Sequence, residues 1–71
     1  MVYKVHIRFV QNGEYIGTEP YDVEVPDNTS EDGLMDALMD SAREILNEEN
    51  QDNEAWENGE VNWTITDFEK F

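Results

Sequence analysis

Acidic side chains recur at every fourth position through the middle of the chain. The helix acid row, as we name it, consists of Asp32, Asp36, Asp40, Glu44 and Glu48. On a helix, side chains at this spacing are neighbours about 5–6 Å apart, and like charges there are mildly destabilising. Since only Arg43 interrupts the row, helix stability does not explain it. A regular series of carboxylates on a rigid rod would coarsely imitate a phosphate strand, because duplex DNA carries one charge per ~1.7 Å of axis. The alternative interpretation is a solvated helix face, as most charge runs are.

A second group of acids surrounds a tryptophan in the segment after this row. Its members are Glu48, Glu49, Asp52, Glu54, Glu57 and Glu60. Because tryptophan is enriched among the residues that dominate binding energy at interfaces, Trp56 is a candidate anchor for a partner. The alternative is that Trp56 folds back and closes the edge of the core. The predicted partner-binding residues are Asp32, Asp36, Asp40, Glu44, Glu48, Glu49, Asp52, Glu54, Trp56 and Glu57.

The net charge is far larger than solubility requires. The 71 residues include 18 Asp and Glu against 4 Lys and Arg, which gives a formal charge of −14. A magnitude of about 2–8 is enough to keep a small domain soluble. The first 13 residues contain Lys4, His6 and Arg8 but no acid. The excess negative charge favours a functional role, and it points to a basic partner.

Composition also excludes several classes of protein. Direct nucleic-acid binding is disfavoured, because it needs clustered Lys and Arg. No apolar run approaches the ~20 residues of a membrane span, and no signal peptide is recognisable. The absence of cysteine excludes disulfides and thiolate metal sites. The length predicts a single domain over residues 1–71 with one small core.

Neither calcium binding nor catalysis finds support in the sequence. An EF-hand loop needs Gly at its sixth position and Glu at its twelfth. Placing Gly33 sixth leaves Met39 twelfth, and placing Gly59 sixth puts Trp56 third. His6, the sole imidazole, is expected at the surface of a strand. We therefore expect no cofactor, no metal centre and no enzymatic activity.

Alternating side chains predict a first strand, with one apolar face. The inward set is Tyr3, Val5, Ile7 and Phe9, and the outward set is Lys4, His6 and Arg8. Asn12-Gly13 follows, a strong signal for a tight hairpin turn because both residues tolerate positive φ. A second strand is expected from about Tyr15 to Val25.

The register of this hairpin contains a conflict. A two-residue Asn12-Gly13 loop with regular pairing would turn Asp22 inward beside Tyr3, because a one-residue slip reverses every face. We therefore predict either a bulge near Gly17 or a three-residue loop, Asn12–Glu14. The expected pairs are Val5 with Tyr21 and Lys4 with Asp22.

The next element is predicted to be a helix from about Ser30 to Glu48. Thr29-x-x-Asp32 resembles a capping box, with Asp in place of the usual Glu. The apolar stripe that packs on the sheet consists of Leu34, Met35, Leu38, Met39, Ala42, Ile45 and Leu46. An acidic connection, residues 49–60, follows, in which Asp52 could cap a short helical turn that ends at Gly59.

The last element is predicted to be a third strand with Val61, Trp63 and Ile65 inward. The order strand, strand, helix, strand predicts an α+β domain with ββαβ connectivity. One helix would cover one face of a three-stranded antiparallel sheet. We favour the strand order 2-1-3, because it places the most apolar strand in the centre. The order 1-2-3 with a right-handed parallel crossover is the alternative.

In size, charge and build, the chain resembles the small acidic DNA-mimic inhibitors encoded by phages and plasmids. These include anti-restriction proteins, uracil-DNA glycosylase inhibitors and several anti-CRISPR proteins. The resemblance covers the whole chain but includes no specific motif, so no functional residues are carried over from it. It implies an inhibitor that occupies the nucleic-acid groove of a host defence enzyme in the cytoplasm, with anti-CRISPR activity favoured.

Three hypotheses follow from the sequence. The first is a stoichiometric inhibitor, a monomer or weak homodimer, whose partner is a basic nucleic-acid-binding protein such as a nuclease or a CRISPR effector. The second is a non-enzymatic adaptor or accessory subunit that binds a partner through an edge strand or an apolar surface. The third is a halophilic protein whose acids serve solubility and which needs molar salt to fold.

Overall fold

Three antiparallel strands and one long helix form the structure, a computed structural model that describes residues 1–71. The strands are β1 (Val2–Gln11), β2 (Glu14–Glu24) and β3 (Val61–Lys70). The helices are α1 (Leu34–Glu49), preceded by a 3₁₀ turn over Glu31–Gly33, and the short α2 (Glu54–Glu57). The strand order β2-β1-β3 and the ββαβ connectivity confirm the predicted fold and exclude the parallel alternative.

The β1–β2 hairpin resolves its register conflict with a bulge. Asn12 and Gly13 form a two-residue turn with φ of 51° and 84°, as a type I′ turn requires. Phe9 pairs with Gly17 and Val10 with Tyr15, so Ile16 is the extra residue. The bulge therefore lies next to Gly17, the first of the two predicted alternatives. The predicted pairs, Val5 with Tyr21 and Lys4 with Asp22, are both present.

A second bulge, which the sequence did not suggest, occurs in β3. Ile7 pairs with Ile65 and His6 with Asp67, which leaves Thr66 without a partner residue on β1. The shift brings Phe68 opposite Val5, on the face that packs against the helix. Phe68 then contacts Tyr3 edge-on, with 6.1 Å between ring centroids. The strand thus continues to Lys70 and covers one end of the core.

The core lies between α1 and the sheet and is entirely apolar. Its buried residues are Tyr3, Val5, Ile7, Val23, Val25, Leu38, Ala42 and Leu46. No polar or charged side chain is buried. The predicted helix stripe is overstated at one end, because Met35 is 41% exposed. Around the helix Met35 lies between the buried Ala42 and Leu46, so its exposure comes from its place in the first turn of α1 and not from its angle.

Both predicted helix caps are displaced by one residue. The Thr29 hydroxyl donates to the Pro26 carbonyl at 2.7 Å, so it closes the turn after β2 and does not cap α1. Ser30 Oγ accepts from the Gly33 amide at 3.3 Å and so caps the 3₁₀ turn, and α1 itself begins after Gly33 without a side-chain cap. At α2, Asn53 Oδ1 accepts from the Trp56 amide, in the role predicted for Asp52. The predicted end of this turn at Gly59, where φ is +74°, is confirmed.

Candidate functional site

The helix acid row is exposed along its whole length. Asp32 belongs to the 3₁₀ turn and the other four members to α1. Successive members of a row at i, i+4 advance about 6 Å along the helix axis and rotate about 40° around it. The row therefore winds around α1 in a right-handed sense, as a phosphate strand winds around a duplex.

Few of the carboxylates are neutralised within the molecule. Of the 18 acids, only Asp27 and Asp40 form ion pairs, with the Met1 amine and Arg43 respectively. Arg43 Nη1 lies 3.2 Å from Asp40 Oδ1, and its guanidinium carbon is 5.8 Å from the centre of the Trp63 ring. Four of the five row carboxylates thus remain available to an external cation.

Trp56 packs against the core, as the structural interpretation of this residue predicted. Its side chain is partly buried against the core cluster. The indole N–H donates to Asn47 Oδ1 at 2.9 Å. Of the six acids that the sequence places around it, five are exposed and Glu60 is half-buried; the exposed ones are Glu48, Glu49, Asp52, Glu54 and Glu57. Trp56 therefore positions an acidic turn, and it is not a freely projecting anchor.

Glu49 differs from the other acids of the predicted set because it contacts the sheet. Its Oε2 accepts a hydrogen bond from the Tyr21 hydroxyl at 3.2 Å. Burial, followed by the charge and hydrogen bond of Glu49, raises the pKa of the Tyr21 phenol above its usual value of 10.0. The Tyr21 phenol therefore stays neutral throughout the physiological pH range and remains a donor to the Glu49 carboxylate.

A groove of about 380 Å³ opens beside this hydrogen bond. It lies between the hairpin end of the sheet, the end of α1 and the segment of α2. Its lining is Phe9, Gln11, Ile16, Tyr21, Glu49, Asn50, Asn53, Ala55, Trp56 and Val61. Sequence reasoning identified Glu49 and Trp56 but missed the groove. The one available signal was Ile16, an apolar residue beside the predicted bulge.

The basic side chains of β1 lie on the opposite side of the molecule from α1. Lys4, His6 and Arg8 alternate with the core residues of this central strand and so project from the uncovered sheet face. Two aromatic rings flank them there: Lys4 Nζ is 5.8 Å from the centre of the Phe71 ring, and the guanidinium carbon of Arg8 is 4.9 Å from that of Tyr15. The basic side chains other than Arg43 and Lys70 are thus segregated from the acids of the helix side.

The segregation leaves the helix side with almost no cations. Between Glu31 and Glu57 the chain has ten acids and one base, Arg43. All ten acids are exposed. The uncovered sheet face, in contrast, mixes the β1 cations with four exposed acids of the edge strands: Asp22, Glu24, Asp67 and Glu69.

No three metal-ligating side chains come together in the structure, and neither helix has the length and apolar character that a membrane crossing requires. Comparison of the chain with protein-family models, curated protein sequences and solved structures gives no match.

Proposed function

We propose that this protein is a stoichiometric inhibitor that imitates the charge of a nucleic acid and occupies the nucleic-acid groove of a host defence enzyme. We favour a CRISPR effector as the target. The acidic face, formed by the helix acid row, Glu49, Asp52 and the two α2 acids Glu54 and Glu57, would contact Lys and Arg side chains that otherwise bind phosphates.

The observation that carries the proposal is the segregation of charge. If the acids served only solubility, cations placed among them would reduce self-repulsion at no cost to solubility. The chain instead has its β1 cations on the far face and holds ten exposed acids against one arginine on the helix side. This arrangement concentrates the negative potential on one surface.

The rigidity of α1 supports the same proposal. The row from Asp36 to Glu48 covers about 18 Å of helix axis, on a helix anchored to the sheet by Leu38, Ala42 and Leu46. Because the backbone that carries the carboxylates is fixed, a partner would not have to order it on binding. Attraction between opposite potentials would speed association and weaken as salt screens it.

Competition with DNA tests the proposal. A labelled duplex would be bound to guide-loaded CRISPR nucleases and, for comparison, to restriction endonucleases and a uracil-DNA glycosylase, and displacement would be followed by fluorescence anisotropy. We expect the protein at micromolar concentration to displace the duplex from at least one target, with an affinity that falls as salt rises. Failure to displace DNA from any nuclease of its host across the salt series would show that the proposal is wrong.

Two variants with the same net charge test whether the target recognises the acidic face or only the total charge of the protein. The helix variant carries Asp32→Asn, Asp36→Asn, Asp40→Asn and Glu44→Gln. The sheet variant carries Asp22→Asn, Glu24→Gln, Asp67→Asn and Glu69→Gln. Each removes four negative charges, but we expect at least a tenfold loss of inhibition in the helix variant and less than threefold in the sheet variant. Equal losses would argue against recognition through the acidic face.

An adaptor function is the second candidate, and the two sheet edges favour it. In the order β2-β1-β3 both β2 and β3 have one unpaired edge, and such edges can add a strand from a partner. Under this hypothesis the helix variant would retain its partner. Proline substitutions at outward-facing amides of β2 or β3 would then abolish binding.

A further inference from the structure

We infer that the groove beside Glu49 binds an arginine side chain of the basic partner. This inference rests on the proposed function for the basic character of the partner, and it adds a specific anchoring site to a surface that otherwise acts through distributed charge. The groove volume of about 380 Å³ falls in the range of small ligand sites.

The walls of the groove suit the aliphatic part of a long side chain. Phe9, Ile16, Trp56 and Val61 supply apolar surface from four separate elements. Ile16 is 55% exposed because the bulge removes it from regular pairing. An arginine stem that packs here would remove this apolar surface from water while its charged end stays at the rim.

The charge of the groove selects a cation. Glu49 is the only ionisable acid or base among the lining side chains apart from the neutral phenol of Tyr21, so no cation lines the groove. Its Oε2 accepts from Tyr21, whereas its Oε1 accepts no hydrogen bond within the molecule. A guanidinium N–H donated to Oε1 would form a charge-assisted bond in a partly desolvated place.

The aromatic side chains favour arginine over lysine. Tyr21 and Phe9 pack edge to face, with ring centroids 6.4 Å apart, and Trp56 lines the same groove. A planar, weakly hydrated guanidinium stacks on aromatic rings and binds carboxylates through several donors, whereas an ammonium group keeps its hydration more strongly. A purely apolar occupant would cover the Glu49 carboxylate without a counter-charge, which is costly.

Blocked amino acids test the assignment without any target protein. The probes are the N-acetyl methylamides of arginine, citrulline, lysine and leucine, titrated into ¹⁵N-labelled protein. We expect the arginine probe to shift the Trp56 indole N–H and the Asn50 and Asn53 side-chain amides at a concentration at least tenfold lower than any other probe. Equal binding of citrulline would mean that the positive charge is not recognised, and equal binding of leucine would mean an apolar occupant. Either result would overturn the inference, as would equal binding of lysine or no shift at the groove.

A matched pair of variants tests whether the arginine probe binds in the groove or only responds to the overall negative charge. Glu49→Gln removes one charge but keeps an oxygen that accepts from Tyr21, and Glu48→Gln removes one charge from the neighbouring solvent-exposed position. We expect at least fivefold weaker binding of the arginine probe to Glu49→Gln and less than twofold to Glu48→Gln. Equal losses in the two variants would overturn the groove assignment. The probe titration includes no target protein, so its outcome is independent of the duplex-displacement experiment. If the titration fails while displacement succeeds, only the groove assignment is wrong and the proposed function stands.

Discussion

The Tyr21 hydroxyl donates a hydrogen bond to Glu49 Oε2 over 3.2 Å. This bond joins an edge strand, β2, to the last residue of α1. It holds one carboxylate of the acidic face against the sheet, whereas the neighbouring Glu48 remains in solvent. The two residues therefore fix the position of the groove relative to the helix acid row.

The ionisation of Tyr21 should report on this contact. Because burial and then Glu49 raise its pKa above the usual value of 10.0, Tyr21 should ionise only at a pH above 10. A raised folded-state pKa means that the contribution to stability is complete below about pH 10 and is lost as pH rises through the folded value. Absorbance at 295 nm during an alkaline titration measures the ionisation of the tyrosines. The transition that is missing in Tyr21→Phe belongs to Tyr21. In Glu49→Gln the midpoint should fall but stay above 10, since burial remains. An unchanged midpoint would contradict the role of Glu49.

Charge removal at the two ends of α1 should have different effects on stability. Glu48→Gln relieves repulsion from Glu44 and removes a negative charge near the helix C-terminus, where the dipole is unfavourable. We expect a gain of about 0.3 kcal/mol in the free energy of unfolding at low salt, which disappears at 1 M NaCl. Asp36→Asn, in the first turn, should give no gain because the dipole favours a negative charge there. Urea unfolding at two salt concentrations measures both, and equal gains would contradict the dipole argument.

The strand order and the register of the hairpin followed from the sequence because alternation constrains the sheet strongly, whereas the choice between a bulge and a three-residue loop did not. If Asp22 faced the core beside Tyr3, an unpaired charge would be buried. A bulge near Gly17 avoids this, and glycine accepts its φ of +156°. The helix caps were harder to place, since adjacent residues such as Asp52 and Asn53 can both cap. Tertiary contacts decide between them.

The groove could not have been predicted from local patterns. Ile16, Glu49, Trp56 and Val61 come together only because β3 returns beside β1 and α1 ends over the hairpin. The bulge at Thr66 likewise could not be predicted, because β3 contains no glycine or proline near it. The helix acid row, in contrast, depends on the periodicity of one helix, and such a row can be predicted from sequence spacing alone.

The hairpin turn should be sensitive to a single methyl group. Gly13 has a φ of +84° and no atom within 4 Å of where a Cβ would lie, so Gly13→Ala changes only the backbone energy. We expect a loss of about 1–2 kcal/mol in the free energy of unfolding. Gly33→Ala is the control, because Gly33 has no positive φ and its nearest neighbour, Ser30 Oγ, is at 3.5 Å. That variant should be neutral or more stable by up to about 1 kcal/mol. Chemical denaturation measures both, and similar losses in the two variants would contradict the assignment of the turn.

A double-mutant cycle on Trp56 and Asn47 should establish that the tryptophan contributes to the fold. Trp56→Phe removes the indole N–H that donates to Asn47 Oδ1 at 2.9 Å, and Asn47→Ala removes the acceptor. Because the bond lies near the surface, we expect a coupling energy of about 0.5 kcal/mol in urea unfolding. The effects on stability of the better helix propensity of alanine and of the smaller ring of phenylalanine occur in both arms of the cycle and therefore cancel. Additive effects would mean that the bond contributes nothing. If, in addition, Trp56→Phe left stability unchanged but reduced inhibition, Trp56 would be an anchor for the partner after all, and the acidic turn would owe its position to the Asn53 cap alone.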